Sequence, residues 1–178
     1  MSVHEYFDLV AANLAVPMPG GLELVSAPTA ADVEREVLAR ATDADVVMMA
    51  AAVADYRPAE VLAGKRGKDT GGWTLELEPT TDVLRTLGQR DNGPLLVGFA
   101  AESGGGIDRA RQKLTDKKAN LLVYNDVSRG DIGFDSEENE VTLIGRDGEQ
   151  TDSANLRFDS FIFNEGEALL ARRRKLVE

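Results

Sequence analysis

Three stretches of the chain place polar groups or glycines directly behind apolar runs. The first is Ala50-Ala-Ala-Val-Ala-Asp-Tyr-Arg-Pro58. The small side chains of Ala51 and Ala52 let a ligand come close to the backbone, and Asp55 can accept hydrogen bonds from a sugar or an amine. The second is Gly98-Phe-Ala-Ala-Glu102, whose Phe99 can stack on a base or a ribose. The third is Asn125-Asp-Val-Ser128. Two sets of cations accompany them. Lys65, Arg66 and Lys68 lie in a polar, Gly-rich stretch between Asp55 and Gly72 that predicts a mobile loop, while Lys113 and Lys117 stand at i and i+4, on one face of a helix. Ligands of open parallel sheets bind outside the carboxyl ends of the strands, so strand ends clustered at one edge form the expected site.

Each feature also has a plain structural explanation. An alanine run at a strand end serves close helix packing, and Phe99 fits a core. Asn125 and Asp126 suit the cap of a turn. Lysines on a Gly-rich loop or an open helix face are solvated charges. Order and joint occurrence carry the information here, not any single residue.

The segments between these stretches predict the elements that must position them. Phe7–Ala11 and Leu22–Val25 are short apolar runs, candidate strands separated by a loop with Pro17, Pro19 and a glycine pair. Thr29-Ala-Ala-Asp32 resembles a capping box, and Val33, Val37 and Leu38 continue it with a helical period ending near Thr42. Asp45–Val53 and Pro94–Ala101 are continuous apolar runs of a length that suits strands buried on both faces. Trp73–Glu78 alternates apolar and acidic residues, predicting a half-exposed strand. Asp82–Gln89 predicts a short helix with Val83, Leu84 and Leu87 inward. Ile107–Lys118 predicts an amphipathic helix, and Leu121–Tyr124 a further strand. Glu140–Ile144 and Leu156–Phe163 suggest a hairpin around Arg146-Asp-Gly-Glu149, and Glu165–Leu176 a last helix. Helices alternating with buried strands predict an α/β fold: a doubly wound, mostly parallel, Rossmann-like sheet with a C-terminal hairpin and helix extension, forming one domain over residues 1–178.

Composition removes several function classes. With 43% hydrophobic and 29% charged residues the chain is globular rather than disordered. A net charge of −11 argues against non-specific binding to nucleic acid or to an anionic membrane, while leaving room for a local basic pocket that takes a phosphate. The chain has no cysteine and one histidine, His4, so thiolate metal sites, disulfides, a histidine zinc site and a Ser-His-Asp triad are not expected. No apolar run nears the roughly 20 residues of a membrane span, and the N-terminal residues lack a signal-peptide pattern; a cytoplasmic protein is expected. Nicotinamide chemistry is disfavoured, because no G-x-G-x-x-G follows a strand and Tyr56 and Tyr124 are followed four residues on by Glu60 and Ser128, not lysine.

Taken in order, AAAVADYRP, KRGK ten residues after the aspartate, TTDVL, VGFAAES, ARQKLTDKKANLLVYNDVS and GFDSEENEVTLI resemble the CTP-dependent phosphopantothenate–cysteine ligases of coenzyme A biosynthesis, over roughly residues 9–144. The resemblance implies conversion of 4′-phosphopantothenate by CTP, with Mg²⁺, to an acyl-cytidylate, from which cysteine displaces CMP. It implies that Asp55 binds CTP and that Lys65 reaches the triphosphate as the catalytic loop lysine. Thr81, Asp82, Val83 and Leu84 correspond to the cytosine-recognising segment, with Thr80 and Thr81 where Asn and Pro are common. Phe99, Lys113 and Lys117 correspond to further CTP contacts, and Ala51 and Ala52 to backbone positions near the phosphopantothenate. No separate protein metal site is implied. A homodimer is implied too, or a partner chain that completes the site. One departure is plain: the family's N-terminal strand, Gly-rich turn and NRSSGKMG-like helix start have no counterpart in these residues. The expected activity is therefore the ligation itself or that of a shortened homologue. A non-catalytic CTP-binding regulatory protein or subunit is the alternative.

Overall fold

A computed structural model of the chain describes residues 7–12, 22–62, 64, 67, 71–102, 106–128, 140–146, 148 and 150–154. In chain order its elements are β1 (Asp8–Ala11), β2 (Glu23–Ser26), α1 (Ala30–Arg40), β3 (Val46–Met49), β4 (Tyr56–Pro58), β5 (Leu77–Pro79), α2 (Val83–Gly88), β6 (Leu95–Glu102), α3 (Gly106–Asp116), β7 (Leu121–Asp126), β8 (Glu140–Gly145) and β9 (Gln150–Ala154). They fall into two compact units. One comprises Met1–Val37 and Ala52–Asp82, the other Leu38–Ala51 and Val83–Glu178.

In the first unit β1 and β2 pair in parallel, with Leu9 opposite Leu24. The predicted capping box opens α1. The Asp32 backbone N–H donates to Thr29 Oγ1 at 3.1 Å, and Asp32 Oδ2 accepts from the Thr29 N–H at 3.2 Å and from its hydroxyl at 2.6 Å. Those bonds, with the Arg35 guanidinium one turn on, hold the Asp32 carboxyl below the ordinary carboxylate range. The same unit carries an antiparallel ribbon of β4 and β5, with Arg57 opposite Glu78.

The second unit is built on a five-stranded sheet in the order β3-β6-β7-β8-β9. β3, β6 and β7 are parallel, β8 runs against β7, and β9 runs against β8, so four of the five strands share one direction. One face gathers Val97, Leu121, Val123, Val141 and Leu143, with Val46, Met48, Leu95 and Phe99 packed on them. The other face receives α2. There Gly98 presents bare backbone to the helix: a Cβ on it would stand 2.8 Å from Leu84 Cδ2 and 3.0 Å from Leu122 Cδ1. Leu87 of the same helix is buried outright.

α3 is fastened at its C-terminal end by three neighbours. Lys118 takes a left-handed backbone (φ 50°), and the Ala119 N–H returns to the Leu114 carbonyl at 3.1 Å, a Schellman closure without glycine. Arg146, just past β8, donates from Nε to the Ala119 carbonyl at 3.2 Å and from its guanidinium to the Lys118 carbonyl. Asn120 joins the β6 edge twice, its N–H donating to Leu96 O at 2.8 Å and its Oδ1 accepting from Leu96 N–H at 2.9 Å.

Four expectations about elements need correction. The apolar run Asp45–Val53 yields a strand only over Val46–Met49, where β6 supplies a ladder; the alanines beyond it are exposed or half-exposed. Tyr56–Pro58, expected within a loop, is a strand because β5 pairs with it. The strand expected at Trp73–Glu78 begins only at Leu77 for the same reason. β8 has its hairpin partner in Gln150–Ala154, a polar run that no apolar pattern reveals, and not in Leu156–Phe163. That segment and the expected helix Glu165–Leu176 lie outside the described residues.

Candidate functional site

The carboxyl end of β6 carries Phe99 and Glu102. Side chains alternate along a strand, so Phe99 and Glu102 project from opposite faces of the sheet. Phe99 is half-buried against the apolar cluster. Glu102 is 7% exposed, a carboxylate that burial alone would penalise heavily. Two cations from α3 answer it. Lys113 Nζ donates to Glu102 Oε1, and Arg109 NH1 lies 3.4 Å from Glu102 Oε2. The Lys113 hydrogen bond outweighs desolvation and holds the Glu102 carboxyl below its ordinary range, with the Lys113 and Arg109 charges adding to it. Tyr124 on β7 shifts the other way. Burial raises its phenol, and the carboxylates of Asp126 and Glu102 add to the shift.

Next along the edge is the end of β7. Asp126 Oδ1 accepts from the Ser128 N–H at 3.0 Å and from its hydroxyl at 2.6 Å, an Asx turn that gives these two residues a structural role. Asn125 Oδ1 is buried with no hydrogen-bond partner among the described residues. Lys117, half-buried just past α3, donates its backbone N–H to the Lys113 carbonyl at 3.0 Å. Val83 and Leu84 bury their side chains in the core, so only their backbone groups are available to a ligand.

In the first unit, Asp55 is exposed, as are Ala52, Thr81 and Asp82. Thr80 fixes the turn that presents Asp55: its N–H donates to the Asp55 carbonyl at 2.9 Å and its hydroxyl to the Ala54 carbonyl at 2.5 Å. Arg57 Nε and Glu78 Oε1 meet across the ribbon at 2.6 Å. Tyr56, Val61, Leu62, Trp73, Leu75 and Leu77 are all exposed apolar side chains on and around it.

Of the residues singled out from sequence, the second unit gathers Lys113 with Glu102, and the first gathers Asp55 with Thr80 and its neighbours. Ala51 is exposed past the end of β3. Lys65, Arg66 and Lys68 lie outside the described residues. Glu102 and Arg109 escaped notice as site members. The signal was available: an acid terminating a buried strand needs a cation, and the next helix offers Arg109 and Lys113 one turn apart.

A mixed α/β fold with a mostly parallel sheet and polar groups at its strand ends defines an open-sheet α/β protein, the class in which ligands are met at the carboxyl edge. Within that class, residues 5–158 match the family described as DNA/pantothenate metabolism flavoprotein C-terminal domain, and the chain belongs to that family. It is 40% identical over 141 residues to the coenzyme A biosynthesis bifunctional protein CoaBC of Bacillus subtilis, an alignment covering 79% of this chain and 35% of the relative. The chain thus spans about a third of the length of that relative. Among solved structures, the C-terminal domain of a CoaBC protein superposes with a TM-score of 0.67 at 31% identity, covering 95% of this chain and 71% of the other. The DNA/pantothenate metabolism flavoprotein of Streptococcus pneumoniae gives a TM-score of 0.70 at 19% identity, over 91% of this chain and 78% of the other, a likeness of fold.

Proposed function

We propose that this chain carries out the phosphopantothenate–cysteine ligation of coenzyme A biosynthesis, with CTP as co-substrate. The observation that carries the proposal is the ordered presence of Asp55, Lys65, Phe99, Lys113 and Lys117 in a chain 40% identical to a coenzyme A biosynthesis protein. Asp55, Thr81, Asp82, Val83, Leu84 and Phe99 correspond in sequence to the family's nucleotide contacts, Val83 and Leu84 through their backbone. Lys65, Lys113 and Lys117 bring positive charge to its triphosphate, and Ala51 and Ala52 leave room beside the backbone for phosphopantothenate.

The phosphopantothenate carboxylate attacks the α-phosphorus of CTP, forming an acyl–phosphate bond and breaking the bond to pyrophosphate. The cysteine amine then attacks the acyl carbon, CMP leaves, and the amine proton is lost to give the amide. Cations at the triphosphate stabilise the charge that moves onto the leaving pyrophosphate. Among the described residues no group of three or more His, Cys, Asp or Glu side chains could hold a metal. An Mg²⁺ carried by the phosphate oxygens and water would supply charge neutralisation there.

The proposal includes a homodimer. The exposed apolar side chains of the ribbon, from Tyr56 to Leu77, form the kind of surface that a second subunit covers. It also includes a cytoplasmic setting; among the described residues no helix is long and apolar enough to cross a membrane. The test is pyrophosphate release from CTP, phosphopantothenate and Mg²⁺, beside calorimetric CTP binding. Release that stops when phosphopantothenate is omitted is expected. Binding without release would instead mark a non-catalytic CTP-binding protein or subunit.

A further inference from the structure

We infer that Glu102 is a positioning residue for the nucleotide site: it holds the Lys113 ammonium at the carboxyl end of β6 in the place where the triphosphate is met. The inference rests on the assignment of Lys113 to CTP made above. Three observations support it. Glu102 belongs to the longest strand of the central sheet, and its carboxylate is buried, so it cannot follow a moving cation. Lys113 and Arg109, one turn apart on α3, both lean towards that carboxylate. Lys113 sits in the last turn of α3, and that end of the helix is fixed by Arg146 and by the Leu114–Ala119 closure. With the backbone held there and the ammonium held by Glu102, both ends of the four-carbon lysine stem are fixed.

A cation fixed in advance costs a ligand less entropy than one that must be captured. There is an opposing effect. Glu102 is an anion beside a site for an anion, and by Coulomb attraction and repulsion alone its removal would tighten CTP binding. The two effects have opposite signs, so affinity decides between them.

The experiment is CTP binding by calorimetry in the full chain, with thermal unfolding recorded without ligand. Lys113→Ala and Glu102→Gln should each weaken CTP binding by about tenfold, and Glu102→Gln should add less than about twofold when Lys113 is already alanine. Glu102→Asp, which keeps the charge, should recover part of the loss. Unchanged or tighter CTP binding by Glu102→Gln overturns the inference. So does a full additional loss in the double variant, which would mean that Glu102 acts by supporting the fold. If Lys113→Ala binds CTP like the native chain, the nucleotide assignment of Lys113 falls and this inference with it; additivity with an impaired Lys113→Ala sinks the inference alone. Should Glu102→Gln not fold, the native chain gives a second measurement. Amine acylation followed by mass spectrometry should modify Lys113 several-fold more slowly than the exposed Lys118, and equal rates overturn the pairing.

Discussion

The exposed Arg57–Glu78 contact and the buried contacts of Glu102 both join neighbouring elements, and they are built differently. Arg57 and Glu78 meet at 2.6 Å across the β4–β5 ribbon, with 54% and 43% of their side chains exposed. Glu102 meets Lys113 and Arg109 at the end of β6, with only 7% of the acid exposed. Water screens the first pair and competes for both partners. The second acid has already lost most of its water, so it depends on its cations. The difference teaches that a short ion-pair distance says little by itself; what surrounds the carboxylate decides whether the pair is a local convenience or a constraint on a functional side chain.

The sharpest way to break this contrast between a dry sheet and a wet ribbon uses one residue type in both places. Leu87→Ala, at 1% exposure, should cost about 3 kcal/mol in denaturant unfolding. Leu77→Ala, at 54% exposure, should stay within about 0.5 kcal/mol. Similar losses at the two sites would erase the distinction.

The next largest effect is a pH dependence. Glu102 is held below its ordinary carboxylate range by Lys113, so the folded state binds its proton less readily than the unfolded state does. Its stabilisation is complete above the unfolded-state carboxylate pKa and is lost as pH falls through the lower folded value. Thermal melts should therefore show Glu102→Gln losing about 1.5 kcal/mol near neutrality, a gap from the native chain that closes on acidification. A gap that stays constant down through the carboxylate range would mean that the acid's charge is not what matters. The smallest effect belongs to the ribbon. Glu78→Gln should change stability by about 0.5 kcal/mol or less and lose even that in 1 M salt.

The parts of the fold read correctly from sequence are those fixed by local pattern or continuous burial. The capping box at Thr29 and Asp32, the apolar runs of β6 and β7, and the inward Val83, Leu84 and Leu87 all announce themselves in a few adjacent residues. β4, β5 and β9 do not, because each is a strand only by virtue of its partner. The candidate site divides in the same way. Phe99 and the Lys113–Lys117 spacing are legible, since strand ends and helical period place them. Glu102 is legible only as an acid that ends a buried strand and needs a cation; that Lys113, eleven positions away on another element, supplies it is fixed by the fold. Thr80 looked like a departure from a familiar Asn-Pro pair, yet it hydrogen-bonds the carbonyls of both Ala54 and Asp55.

The pair of hydrogen bonds between Asn120 and Leu96 has a kinetic consequence. It closes a segment whose ends are separated by only 24 positions, with α3 lying between them. Short closures cost little chain entropy and form readily, before pairings that must wait for distant strands. The β6–α3–β7 segment is thus the natural seed of this half of the molecule, and pulse-labelled hydrogen exchange should protect the Leu96 and Asn120 amides before those of β8. Glu102 and Lys113 both lie inside that seed. The chain would then set the Glu102–Lys113 contact early in folding, ahead of the strands that complete the sheet.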